Sequence, residues 1–289
     1  MHHGSQLKRF ALFALLPLSI FLVVLAYPFI QGLYLTFTDW DGFKHENYVG
    51  FTNYSESLAD PEFWTTLRFT LKYVAVSLVA INAVAFGLAL LVTAKLKSSN
   101  IFRTFFFIPN LIGGVVLGVI WQFIFNTALV SISSKMGWSL FESSWLGETN
   151  TAFWALIIVT VWQSSGYMMI IYITGLVSIE QDVLEAARVD GASAARTLWS
   201  IKMPLMAQAF TISLFLTLRG GFMAYDVNVA LTGGGPFRTT ELISMHIFQD
   251  AFAFGNFGTG QSKAVLMFIM VAVAALIQVT VSKRVEARS

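Results

Sequence analysis

Six stretches of this chain, about residues 10–36, 67–94, 101–127, 151–177, 205–229 and 262–282, are apolar for long enough to cross a bilayer. Inside lipid every backbone N–H and C=O must find its partner within the protein, so such stretches can only be helices or strands of a closed barrel. Runs of this length require helices, and the expected fold class is an all-α membrane protein with six transmembrane helices. Composition agrees: with 56% hydrophobic and 12% charged residues and a mean hydropathy of +0.69, the 289 residues carry too few charges to coat a water-facing surface. The first stretch follows Lys8 and Arg9 as a signal peptide would, but it outruns a signal's apolar core and ends without a small-residue cleavage pattern. It is kept as a membrane helix.

Alternating the connections between the two sides of the membrane sorts the basic residues. Lys8, Arg9, Lys95, Lys97, Arg103, Arg188, Arg196, Lys202, Lys283, Arg284 and Arg288 fall on one side, and Lys44, Arg68, Lys72, Lys135, Arg238 and Lys263 on the other. Eleven against six, with the eleven tight against helix ends, places both termini and the connection around Glu185 in the cytoplasm. The first outer connection, residues 37–66, carries Asp39, Asp41, Glu46, Glu56, Asp60 and Glu62 between aromatic residues, and an amphipathic helix is expected near Tyr54 to Trp64. Gly114 and Gly118 in the third stretch form a small-xxx-small pair suited to close helix packing.

Several chemistries are excluded or disfavoured. There is no cysteine, hence no disulfide, thiol nucleophile or thiolate metal site. Two of the four histidines, His2 and His3, sit in a Met-His-His-Gly-Ser start that has the look of an added tag, and no metal site or resident cofactor is expected. The Gly cluster Thr232-Gly233-Gly234-Gly235-Pro236 lacks the Gly-Lys-Ser/Thr ending of a phosphate loop and falls on the outer side, so nucleotide would have to bind elsewhere. An integral membrane enzyme would need clustered acids or histidines at depth, and none are seen. A secondary transporter or channel would need ion-coupling carboxylates or an inverted repeat, whereas only Asp226 lies near the membrane.

Between the fourth and fifth stretches lies Glu185-Ala186-Ala187, then Asp190-Gly191-Ala192, then Ile201-Lys202-Met203-Pro204. A polar segment with a Gly at a fixed offset and a Pro where the apolar run resumes reads as helix, turn, helix. The spacing resembles the EAA loop of permease subunits in binding-protein-dependent, ATP-driven importers, with Met203 standing where that family usually has Leu. Phe222 to Pro236, with an aromatic-Asp pair before Leu-Thr-Gly-Gly-Gly-Pro, is similar to the carbohydrate-uptake branch of those permeases. Tyr27-Pro28-Phe29, Phe37-Thr38-Asp39-Trp40 and Val49 to Tyr54 resemble the same branch, so the likeness covers nearly the whole chain.

The resemblance implies a type I ABC importer permease fold, with an N-terminal helix and outer loop over residues 1–66 and a five-helix core over 67–289 that carries a cytoplasmic coupling loop at 178–206. It implies a multi-pass subunit of a prokaryotic plasma membrane. The implied partners are membrane lipid, a second homologous permease, two ATPase subunits holding ATP and Mg, and an extracytoplasmic sugar-binding protein, with no nucleic acid. Glu185, Ala186, Ala187, Asp190, Gly191 and Ala192 would contact the ATPase. The cargo would be a sugar, an oligosaccharide by preference, with a glycerol phosphodiester or polyol as the alternative.

Sugars are held by aromatic faces and by polar groups on their hydroxyls. Gln163, Ser164 and Tyr167 supply both types within one short stretch, and Tyr167 matches a sugar-contacting position of the larger maltose permease subunit by its offset from the Glu185 loop. Gly220, Gly221 and Ala224 are smaller than the residues of that subunit at the same offsets, implying a roomier cavity, and Tyr225 and Asn228 complete the expected path. Arg219 is expected roughly 21 Å along a fifth helix beginning near Leu205. At that depth it should face the path or pair with a carboxylate of the second permease.

Overall fold

The computed structural model describes residues 10–43, 47–94 and 99–286. Lys8, Arg9, Lys44, Glu46, Lys95, Lys97 and Arg288 of the charge pattern lie outside them, as do His2 and His3.

In chain order the helices are α1 (residues 11–35), α2 (Thr52–Ala59), α3 (Pro61–Thr93), α4 (Ser99–Phe107), α5 (Gly114–Met136), α6 (Thr149–Val177), α7 (Gln181–Val189), α8 (Ala194–Leu205), α9 (Ala207–Phe222), α10 (Asp226–Leu231), α11 (residues 243–253) and α12 (Phe257–Glu286). Several contain one-turn π segments, such as Leu198–Lys202 in α8. No strand occurs among the described residues, only an isolated bridge between Thr38 and Tyr48. α1, α3, α5, α6 and α12 are each long and apolar enough to span, and α8 with α9 forms a sixth candidate span bent by 71°.

The expected amphipathic helix is α2, which stops at Asp60, whose extended backbone separates it from Pro61 at the head of α3. The second span therefore starts six residues before the expected position 67, and Trp64 belongs to it. The third span is not one helix. Pro109 brings a ring and no N–H, so α4 tightens into the 3-10 turn Ile108–Leu111, and the chain runs extended through Ile112 and Gly113 before α5 starts. The fifth span begins at Ala207 after the bend at Met206 and ends at Phe222, followed by a non-helical passage through Tyr225 before α10.

The described chain divides into two compact units, Met1–Phe63 with Ile247–Phe268, and Trp64–His246 with Ile269–Ser289. In the first, the Asn53 amide donates to the carbonyls of Thr36 and Thr38, both at 2.8 Å, fixing α2 against the end of α1. The buried Lys263 ammonium pairs with Asp60 at 2.5 Å and with Asp250. In the second, Ile81, Ala85, Ala89 and Val92 of α3 pack with Met168, Met169, Tyr172 and Ile173 of α6 and with Met206 and Ala209. Lipid is as apolar as these side chains, so helix association here depends on close fit and buried hydrogen bonds rather than on escape from water. Asn82 supplies such bonds: its amide oxygen accepts from Tyr172 at 2.6 Å and Ser213 at 2.5 Å, and its nitrogen donates to Thr217 Oγ1 at 3.3 Å. One side chain of α3 thereby joins α6 and α9.

Small residues set the remaining fit. A Cβ on Gly118 would lie 2.5 Å from the Ala230 methyl, and one on Gly114 would lie 2.7 Å from Asp226 Cβ, so the pair lets α5 lie against α10. A Cβ on Gly166 would fall 1.9 Å from the Phe106 carbonyl oxygen. Glycine at that position lets the broken third span rest directly on α6.

Candidate functional site

A cavity of about 340 Å³ opens within the second unit at the place where two spans are interrupted. α3 contributes Tyr73, Ser77 and Ile81, α6 contributes Thr160, Gln163, Ser164 and Met168, and the break of the third span contributes Asn110 and Gly114. The end of α9 and the passage after it supply Leu216, Thr217, Gly220, Gly221 and Met223 through Val227. Interrupted spans suit such a place because irregular backbone at membrane depth is tolerated only where it is buried in protein or lines a cavity.

Gln163, Ser164, Gly220, Gly221, Ala224 and Tyr225 of the expected path are thus brought together. The Gln163 amide donates to the Ile112 carbonyl at 3.1 Å, satisfying an acceptor left open by the break. Nothing lies within 4 Å of a Cβ on Gly220, whereas one on Gly221 would meet Val74 at 3.1 Å. The first glycine therefore leaves open space, and the second lets α9 approach α3.

Three expected path residues lie outside the wall of this cavity. Asn228 is fully buried, and its amide is taken up by the loop beyond α10: Nδ2 donates to the Thr240 carbonyl at 2.8 Å and Oδ1 accepts from the Leu242 N–H at 3.0 Å. Tyr167 is exposed and outside the cavity wall. Arg219 is exposed in the last turn of α9, outside the wall and without an ion pair among the described residues. With α9 starting at Ala207, Arg219 is about 18 Å along it rather than 21 Å, and Asp226 is not on the same helix at all.

The sequence reading missed Tyr73, Ser77, Asn110, Thr160, Thr217 and Asp226. A signal was present: polar side chains inside apolar spans are costly unless they face a cavity or one another. In α3, Tyr73 and Ser77 recur at the four-residue spacing of one helix face. Asp226 lies at the start of α5 beside Gly114, where the partial positive charge of a helix N-terminus favours a carboxylate.

The loop from Thr232 to Leu242 follows α10. Gly233, Gly234, Phe237 and Arg238 all take positive φ, and the peptide bond before Pro236 is cis. Burial would raise the Glu241 carboxyl, but hydrogen bonds and charge from His246 at 3.2 Å and Arg238 at 2.6 Å outweigh it and hold the group below its ordinary value. Ser244 Oγ donates to the Ala224 carbonyl, tying α11 to the cavity rim.

The helix-turn-helix around Gly191 forms as its residues dictate. Gly191 has φ +71°, and the bonds Ala192 N–H to Ala187 O at 2.9 Å and Gly191 N–H to Arg188 O at 3.0 Å close α7 in a Schellman motif. Ser193 Oγ then caps α8 by accepting from the Arg196 N–H at 3.3 Å. Glu185 is not in the first turn of α7, where Asp182 stands instead, so it does not cap that helix. Glu185, Ala186, Asp190 and Gly191 are exposed, Ala192 is half-buried and Ala187 is buried.

Residues 81–287 match the family described as binding-protein-dependent transport system inner membrane component. The chain belongs to that family. This inner membrane component is 44% identical over 271 residues to the probable starch degradation products transport system permease protein AmyD of Thermoanaerobacterium thermosulfurigenes, covering 93% of this chain and 91% of that protein. It is 31% identical to the multiple sugar-binding transport system permease protein MsmF of Streptococcus mutans, covering 95% of each. Its fold is similar to a chain of the bacterial alginate ABC transporter solved with an alginate pentasaccharide-bound periplasmic protein, with a TM-score of 0.83 over 99% of each chain at 19% identity. A permease fold of the ABC importer type is therefore what the six apolar runs build.

Proposed function

We propose that this permease forms half of the translocation path for a neutral oligosaccharide in an ATP-driven importer. A second homologous permease completes the path, and an extracytoplasmic binding protein delivers the cargo. Separate ATPase subunits, which hold ATP and Mg, drive the cycle. ATP hydrolysis then belongs to the partners, and this chain acts by alternating access. Both termini and residues 178–206 face the cytoplasm in this reading, with Glu185, Ala186, Ala187, Asp190, Gly191 and Ala192 forming the surface that meets the ATPase.

The observation that carries the reading is the cavity wall. It offers hydroxyls and amides from Ser77, Asn110, Thr160, Gln163, Ser164, Thr217 and Tyr225, one carboxylate, Asp226, and no Lys, Arg or His among the described residues. Such groups match the alternating donors and acceptors of a neutral sugar. A phosphodiester or uronate would meet a carboxylate with no cation to offset it. The names of AmyD and MsmF, which refer to starch degradation products and to multiple sugars, point the same way.

The test is purification of the chain from its native membrane in mild detergent, with mass spectrometry of the proteins recovered and of the ligand on any binding protein. A second permease, an ATPase and a binding protein carrying a neutral saccharide are expected. A binding protein loaded with a phosphodiester, or a chain recovered alone that transports without ATP, would overturn the reading.

A further inference from the structure

Ser77 is the anomaly in the cavity wall. It lies in the middle of α3, only 1% exposed, and its Oγ makes no hydrogen bond of good geometry among the described residues, although the Tyr73 hydroxyl lies close enough to interact with it. Serines and threonines inside helices usually settle this need by donating back to the carbonyl four residues earlier. Thr70 does so to Thr66 at 2.8 Å, Ser165 to Val161 at 2.6 Å and Thr217 to Ser213 at 2.8 Å. Ser77 does not. Tyr73, one turn away on the same face, is paired with Thr160 Oγ1 at 2.7 Å. A buried hydroxyl without a well-formed hydrogen bond destabilises a fold, and such a group calls for an explanation.

The cavity provides one, because Ser77 lines it together with Asn110 from the break of the third span. We propose that Ser77 is a cargo-binding residue, whose hydroxyl bonds a saccharide hydroxyl from a helix other than the one carrying Gln163 and Ser164. This rests on the neutral-saccharide reading above. The hydroxyl is kept out of local helix pairing and gains a well-aligned partner when cargo arrives, so binding affinity is set by an interaction absent from the empty state. Asn110, half-buried with both donor and acceptor atoms, extends the same polar wall.

The experiment uses the complete importer in proteoliposomes, with its own binding protein and ATPase, and radiolabelled maltotriose as the probe. Uptake and ATP hydrolysis are measured together, and the melting temperature of the purified complex separately. Ser77→Ala is expected to lower maltotriose moved per ATP about three- to tenfold, the effect of one neutral hydrogen bond, while the melting temperature stays level or rises. Ser77→Thr, which keeps the hydroxyl, is expected to preserve the ratio. A purely structural serine would lower uptake and hydrolysis together and leave their ratio unchanged, and that result would overturn the proposal. If the native importer moves no maltotriose but does move an acidic or phosphorylated probe, the cargo reading fails first and this proposal with it.

Discussion

The Tyr172 hydroxyl donates to the Asn82 amide oxygen at 2.6 Å, a bond between α6 and α3 buried on both sides. Ser213 on α9 donates to the same oxygen, so Asn82 is a hub rather than one half of a pair. Asn82→Ala is expected to cost about 1–3 kcal/mol, because it strands two buried hydroxyls at once. Tyr172→Phe removes one donor and leaves the other, and should cost about 1 kcal/mol or less. Melting of the purified complex checks the order. Equal losses for the two variants would show that the Tyr172 bond carries the whole effect and that Asn82 is no hub.

Two glycines on the same unit should respond in opposite ways to an added methyl. At Gly166 a Cβ falls 1.9 Å from the backbone oxygen of Phe106, so the broken span has to move away from α6. Gly166→Ala is expected to destabilise by about 1–3 kcal/mol or more, seen as reduced yield and an earlier melt. At Gly220 nothing lies within 4 Å, and alanine in a helix is favoured over glycine by about 0.5–1 kcal/mol. Gly220→Ala should therefore melt at the native temperature or above it, with any deficit confined to uptake.

The contrast between those glycines also marks what the sequence could reveal. Span existence was legible because lipid offers an apolar run of that length no alternative to the helix. The breaks were not, since apolar composition continues through Ile108, Leu111 and Ile112, and again through Phe222 and Met223. Pro109 was in view, yet without the position of α6 nothing indicated that Gln163 would satisfy the freed Ile112 carbonyl. Gln163, Ser164 and the Gly220-Gly221 pair were readable from residue type and resemblance. Asn228 falls outside the wall because the fifth helix does not continue to it: the chain turns before it and the loop takes its amide. Ser77 and Asn110 were missed because their significance depends on which neighbours are absent, and only coordinates show that.

The loop after α10 should weaken in acid. Glu241 is held below its ordinary carboxyl value in the folded chain, so it binds fewer protons folded than unfolded. Its contribution to stability is present above the unfolded value of about 4.3 and is lost as pH falls through the lower folded value. Melting temperature followed from pH 7 down to pH 3.5 should drop more steeply for the native complex than for Glu241→Gln. The variant should already be less stable at pH 7, because the Arg238 and His246 contacts lose their charged partner. Parallel curves would mean that other carboxylates govern the acid limb.

Gly191→Asp separates folding from coupling at the proposed ATPase surface. The turn has φ +71°, which aspartate tolerates better than most residues, and a Cβ there meets nothing within 4 Å in this chain. The Schellman bonds from Gly191 and Ala192 come from the backbone, so they need no particular side chain. The variant is therefore expected to insert and accumulate, at a cost of about 1–2 kcal/mol for a side chain at positive φ. What changes is the exposed face, where a carboxylate would replace bare backbone at the tip between α7 and α8. If that tip fits closely into the ATPase, stimulation of ATP hydrolysis by loaded binding protein should fall at least tenfold while the complex still forms. Stimulation at the native level would show that the tip keeps clear of its partner, and would move the coupling contact to the exposed Glu185 and Ala186 on α7.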